Sequence, residues 1–310
     1  MKDNQPLVSV CVITYNSAKY ILETLNSIEQ QTYKNIELVI SDDCSNDNTI
    51  SVCNEWICRY KSRFINVKLI THDTNSGVAC NCNRAFKVAT GIWIKGIAGD
   101  DILLPDAIQT YVEYVSKSLD CQICFAPMTL FGDNKTLVKQ IEVYYNNYCY
   151  PYIKMGLKQQ KSRILKYMFV PGPGLFIRRQ LWEDIGGYDE LYPMCEEYPF
   201  IFKIILSGNK VHWVDKPAVM YRIAPNSLSH NSKNKVSKST FDDNYNFFLK
   251  TRRRYLISSG YRIEALHQTI MLYIQYLDYN NSKYRHLAKL LILFSPKAYV
   301  KIIKKCLGSK

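Results

Sequence analysis

The chain has 310 residues, 47% of them hydrophobic, and a formal net charge of +13. Length and apolar content exclude a disordered chain and give room for one large domain, or one domain with an appendage. The charge sits almost wholly in residues 231–310, where sixteen Lys and Arg face only Asp242, Asp243, Glu264 and Asp278. That placement argues against a nucleic-acid groove running through the fold, and for a near-neutral catalytic body, residues 1–230, carrying a basic helical C-terminal extension, residues 231–310.

The opening, MKDNQPLVSVCVITYN, enters a β-branched strand almost at once and lacks the charged, apolar and small-residue succession of a signal peptide, so a cytoplasmic location is expected. Strand-like and helical runs then alternate. LVSVCVIT precedes a helix from about Ala18 to Gln30, IELVISD a helix after Asn48, VKLITHD a helix after Gly77, and WIKGIAGD a helix after Pro105. Such βαβα order predicts an α/β fold with a mostly parallel sheet flanked by helices. Ligands of open sheets bind beyond the carboxyl ends of the strands. Here those ends read TYN, SDDCSND, THDTNSG and AGDD, so the polar residues gather along one edge. Residues 1–131 thus carry the ligand edge. Residues 132–230 read as the substrate side, with an irregular, Tyr- and Lys-rich excursion over 132–169 that shows no clean period. Eleven cysteines are spread through the chain, several in apolar runs, and read as reduced, mostly buried thiols. The Cys80/Cys82 and Cys121/Cys124 spacings have no second pair at zinc-ribbon distance.

The stretch WIKGIAGDDILLPDAI places Asp100 and Asp101 side by side at the end of an apolar run. A helix start does not need them, because Pro105 and Asp106 lie at that start. Adjacent carboxylates repel unless a cation or a strong donor set relieves them, so the pair reads as a cation site.

VSVCVITYNSAKYILETLNSIEQQTYKNIELVISDDCSNDNT, followed by NSGVACNCNRAFKVATGIWI and AGDD, resembles family 2 of the nucleotide-sugar-dependent glycosyltransferases, which have the GT-A fold. The resemblance covers roughly residues 6–231. It implies an inverting transfer from a nucleotide-diphospho-sugar, with UDP as the expected nucleotide, to a hydroxyl of a glycan or lipid-linked acceptor. It implies that Ile13 and Tyr15 line the nucleoside, and that Asp43 accepts a hydrogen bond from the base. Asn75 and Gly77 shape the loop near the donor or cap the next helix. Ala98 stands where the family often has Asp. By the same resemblance Asp101 is the direct ligand of Mg²⁺ or Mn²⁺, and Asp100 touches the donor sugar or ribose.

MCEEYPFIFKIILSGNKV is similar to the family's acidic helix start, with Glu197 in the place of the Asp that serves as base, and Lys203 in the place of an arginine. Glu196 fits a first-turn acid near a helix N-terminus equally well. PGPGLF brings backbone N–H groups toward substrate or forms a rigid turn. YRIAPNSLSHN is similar to a family segment that often ends in His, but Ala224 stands there, and His230 is the candidate replacement as a metal or phosphate contact.

Within the tail, Leu287, Leu290, Leu291 and Phe294, then Tyr299, Ile302, Ile303 and Leu307, alternate with lysines. Such faces suit peripheral contact with anionic lipid at the inner face of the cytoplasmic membrane; packing on the body or a dimer contact fits them too. Two other readings of the whole chain stay open from residues alone: a nucleotidyltransferase acting on sugar phosphates, and a noncatalytic glycan-binding or membrane scaffold.

Overall fold

The computed structural model describes residues 5–167, 172–223 and 237–280. Its centre is a seven-stranded sheet built from β1 (Val8–Thr14), β2 (Ile36–Asp42), β3 (Asn66–Thr71), β4 (Trp93–Ala98), β6 (Ile123–Phe125), β8 (Leu175–Arg178) and β9 (His212–Trp213), in the spatial order β3-β2-β1-β4-β8-β6-β9. The β1–β2, β2–β3, β1–β4 and β6–β9 pairs are parallel, and β8 runs antiparallel to both β4 and β6. Covered on both faces, β1 and β2 are apolar almost throughout, which is why VSVCVIT and IELVISD read as continuous runs.

A three-stranded sheet joins β5 (Ile102–Leu103), β10 (Val219–Arg222) and β7 (Met128–Phe131) in the order β5-β10-β7. Since β5 directly follows Asp101 and pairs antiparallel with β10, this small sheet carries the Tyr221–Arg222 end of β10 back to the carboxylate pair.

Helices α1 (Ile21–Glu29), α2 (Thr49–Tyr60), α3 (Val78–Val88) and α4 (Ala107–Lys117) follow the first strands in the expected positions. The excursion over 132–169 is more regular than its sequence suggests. Its described part holds α5 (Lys135–Tyr144), a π-helical stretch (Tyr145–Cys149), α6 (Tyr150–Ile153) and α7 (Leu157–Lys166). The π turn inserts an extra residue, so apolar positions on either side fall out of a common 3.6-residue phase.

Next come α8 (Arg179–Ile185) and α9 (Glu197–Leu206), then α10 (Lys238–Phe247), α11 (Arg253–Ser258) and α12 (Arg262–Tyr279) of the extension. These last three pack on the body. Phe247 meets Tyr192, Tyr198 and Phe202 edge-on, at centroid distances of 5.3, 5.3 and 5.4 Å. Arg252 donates to the carbonyls of Leu165 and Lys166 at 2.9 and 3.0 Å. The ten described cysteines are free thiols and most are buried. Among the described residues no helix is long and apolar enough to cross a membrane. The apolar tail faces from Leu287 onward lie outside the described residues.

Candidate active site

The carboxyl ends of β1, β2 and β4 form one edge, and each ends in a side chain tied down by its neighbours. At the end of β2, Asp42 and Asp43 divide the work. Asp42 accepts from the Thr14 hydroxyl at 2.6 Å, the Ser45 hydroxyl at 2.6 Å and the Ser45 N–H at 2.8 Å, which fixes the turn. Asp43 reaches across to the loop before α3. Its carboxylate accepts from the Ser76 N–H at 3.0 and 3.1 Å, the Ser76 hydroxyl at 2.8 Å and the Gly77 N–H at 2.8 Å, and is paired with the Arg84 guanidinium. Burial works to raise its pKa, but Arg84, Ser76 and the two backbone donors outweigh it and hold the carboxyl below its ordinary value. Asp43 is therefore an anionic clasp on the 75–77 loop, and any contact to a base shares oxygens already occupied. Arg84, seven residues beyond Gly77 on α3, went unread in the sequence, where nothing marks its contact 41 positions back.

Gly77 is required on two counts. Its φ is +91°, and an added Cβ would lie 2.7 Å from the Pro193 Cβ. The Asn75 side chain accepts from the Gly77 N–H at 3.1 Å, so Asn75 shapes the loop itself. Tyr15 follows β1 with 46% of its surface exposed, while Ile13 is half-buried. Non-glycine residues at positive φ, Asn16 at 50° and Cys44 at 67°, mark the two strand-end turns that flank this part of the edge.

At the end of β4 the two acids part company. Asp101 is fully buried. Its Oδ1 accepts from the Arg222 N–H at 2.9 Å, and its Oδ2 is buried without a hydrogen-bond partner. Asp100 is half-buried and is the member of the pair that reaches the surface. Asp101, the expected direct ligand, is thus the covered member of the pair: it follows β4 in a turn closed by its own N–H to the Ala98 carbonyl at 3.2 Å, and β10 lies over it. Arg222 braces the whole corner. Its Nε donates to the Asp100 carbonyl at 2.8 Å, its guanidinium pairs with Glu23 at 2.8 Å, and it stacks on Tyr20 and Phe131 at 4.3 and 4.5 Å from the ring centroids. Burial, reinforced by the charge of Asp100, pushes the Asp101 carboxyl well above its ordinary value, and burial raises Asp100 as well.

These residues fit a hard divalent cation. The donors are carboxylate oxygens, one is an orphaned buried acceptor, and the pair's mutual repulsion is the strain that a cation relieves. Among the described residues no group of three or more His, Cys, Asp or Glu side chains could hold a metal, so a cation here would draw its other oxygens from substrate and water. Ala224 and His230 lie outside the described residues.

Glu197 opens α9, with Glu196 as the preceding cap residue. Its carboxyl is pushed up to about 8 by burial and then by Glu196, against the opposing pull of Lys95 and a hydrogen bond from the Gly172 N–H; the charge of Asp101 also acts on it. Hence Glu197 and the β4 carboxylates share one electrostatic neighbourhood. Lys203, six residues further on, pairs with Asp189 at 3.4 Å.

Residues 9–186 match glycosyl transferase family 2. The chain belongs to that family. As a family 2 glycosyltransferase it is 25% identical over 236 residues to an uncharacterized glycosyltransferase of Methanocaldococcus jannaschii, covering 76% of this chain and 77% of the relative. It is 24% identical over 234 residues to the chondroitin synthase of Escherichia coli, a match over 75% of this chain and 30% of that protein. The crystal structure of residues 1–349 of S. aureus TarS in complex with UDP-GlcNAc superposes with a TM-score of 0.60 at 21% identity, covering 93% of this chain and 89% of that one, which shows the shared GT-A fold.

Proposed function

We propose that this glycosyltransferase moves a sugar from a UDP-sugar to a hydroxyl of a glycan or lipid-linked acceptor, with inversion, in the synthesis of a surface polysaccharide or glycoconjugate. The observation that carries this reading is the placement of Glu197, a carboxyl of raised proton affinity, in the same neighbourhood as the Asp100–Asp101 pair. One group accepts a proton and the other side of the site manages a diphosphate, which is the division that direct displacement requires. The TarS complex with UDP-GlcNAc supports UDP as the nucleotide, and the chondroitin synthase supports a polysaccharide product.

In this reading Tyr15 and Ile13 take the nucleoside, while Asp43 and Arg84 hold the 75–77 loop that walls it. Asp100 and Asp101, the latter braced by Arg222 and offering its unpartnered Oδ2, would hold Mg²⁺ or Mn²⁺. The cation supplies Lewis-acid relief of the charge that develops on the departing diphosphate. Glu197 takes the proton of the acceptor hydroxyl, and its high proton affinity makes it a competent base once ionised. No recognised protein nucleophile is needed.

Release of UDP from a panel of UDP-sugars by purified protein tests the assignment. Wild-type protein is expected to release UDP slowly to water, and Glu197→Gln to lose at least about a hundredfold of that rate, the lower bound for a general base. UDP release from no donor would favour the noncatalytic scaffold, and an unaltered rate in Glu197→Gln would overturn the role given to Glu197.

A further inference from the structure

Lys95 sits in the middle of β4 and is fully buried. Its Nζ donates to the carbonyls of Gly96 and Pro173, each at 2.5 Å. A full charge inside a protein is costly when its direct partners are two neutral carbonyls, and burial draws the Lys95 pKa down to about 8. Something must repay that position. The fields of Asp101 and Glu197 oppose the loss of its proton, so the cation has the fully buried Asp101 and the half-buried Glu197 in view.

The Pro173 contact matters because of where that residue lies. Residues Gly172–Gly174 form a single 3-10 turn leading into β8. Lys95 donates to the Pro173 carbonyl, the Tyr111 hydroxyl donates to the Gly174 carbonyl at 2.7 Å, and the Gly172 N–H acts on Glu197. Two successive carbonyls of the turn are thus each held by a different buried side chain. At Gly174 an added Cβ would lie 2.2 Å from the Ala126 carbonyl oxygen, so the turn cannot draw back.

We propose that Lys95 is a positioning residue: it fixes the 172–174 turn beside Glu197 and supplies the internal positive charge that faces Glu197 from β4. The inference rests on the reading of Glu197 as proton acceptor. The groups that act on or face Glu197 are Glu196 and Cys195 beside it, Lys95 and Asp101 from the β4 side, and Tyr145, Tyr188 and Cys82 from the elements packed against it. Burial keeps the tyrosines and thiols of that set neutral, which leaves Lys95 as its cation.

Two measurements decide the matter. In the first, UDP release from UDP-N-acetylglucosamine is followed against pH in wild type, Lys95→Met and Lys95→Gln, the last keeping a neutral donor for Pro173. Without the cation Glu197 ionises later, so kcat/KM in both variants is expected to fall at least about fivefold more at pH 6.5 than at pH 9, the difference a one-unit shift makes between those pH values. An equal loss at every pH, or none, would overturn the proposal.

The second is a double-mutant cycle on the thermal midpoint at pH 7.5 with Lys95→Met, Glu197→Gln and the pair, which needs no ligand. Lys95→Met is expected to lower the midpoint more in wild type than in the Glu197→Gln background. If Lys95→Met alone fails to fold while the pair folds, the coupling is also established. Additive effects, or a pair that fails to fold as well, contradict it. Should wild type release no UDP, the donor reading fails and the cycle alone judges Lys95.

Discussion

Glu197 carries a consequence that can be checked without a substrate. Its carboxyl binds a proton more readily in the folded protein, at about 8, than at its ordinary value of 4.5. A raised carboxyl favours folding fully below the unfolded value, and that contribution is lost as pH rises from there through about 8. Glu197→Gln removes the cost of burying the charge. Its thermal midpoint is expected to match wild type at pH 5 and to exceed it at pH 9 by at least about 3 °C, the scale of one kcal/mol in a protein of this size. Above pH 8 Lys95 is largely neutral, so the variant does not strand a buried cation there. A constant difference at both pH values would show that Glu197 is not buried as described.

The residue scale is also where the sequence was least legible. Asp100 and Asp101 lie in the turn after β4, and nothing in AGDD says which one is covered; that depends on β10, which begins 118 residues after Asp101. Arg84 and Arg222 are ordinary basic residues in the sequence, and their roles come from contacts made over 41 and 121 positions. Lys95 breaks the apolar pattern of β4, and that break was the available sign of a special environment.

At the scale of elements, strands β1 to β4 and the helices after them were plain from alternation of runs, because each is long and strongly patterned. The clasp between β2 and α3 adds a constraint that composition does not show. Gly77 holds a backbone conformation that other residues reach only with strain, on the order of 1–3 kcal/mol, and its missing Cβ makes room for Pro193. Gly77→Ala is therefore expected to lower the unfolding free energy, read from urea titration, by an amount in that range and to weaken UDP binding at the same time, since the loop held by Asp43 must shift. Unchanged stability would mean that the loop is not seated against Pro193. The 132–169 segment was missed as helix for a physical reason: the π turn at Tyr145–Cys149 breaks the phase between α5 and α6.

For the whole molecule, the division into a near-neutral body and a basic extension follows the charge, but the described part of the extension is not loosely attached. Phe247 inserts among Tyr192, Tyr198 and Phe202, and Met194 donates its N–H to Asp243 at 2.7 Å, on the segment that leads into Glu197. Truncation after residue 236 would expose that aromatic cluster and is expected to lower the thermal midpoint by more than about 5 °C, or to give aggregating protein. A truncated body as stable as the full chain would contradict this packing.

The assembled edge has a single physical purpose in this account: to hold a nucleoside diphosphate against carboxylates that need a cation. Calorimetric titration of UDP with and without Mn²⁺, in wild type and Asp100→Asn, tests that most directly. The expected result is binding at least about tenfold tighter with Mn²⁺ than with chelator, a gain of roughly 1.4 kcal/mol, which Asp100→Asn abolishes. Equal affinity with and without the metal, or a metal effect that survives Asp100→Asn, would contradict the assignment of the β4 carboxylates.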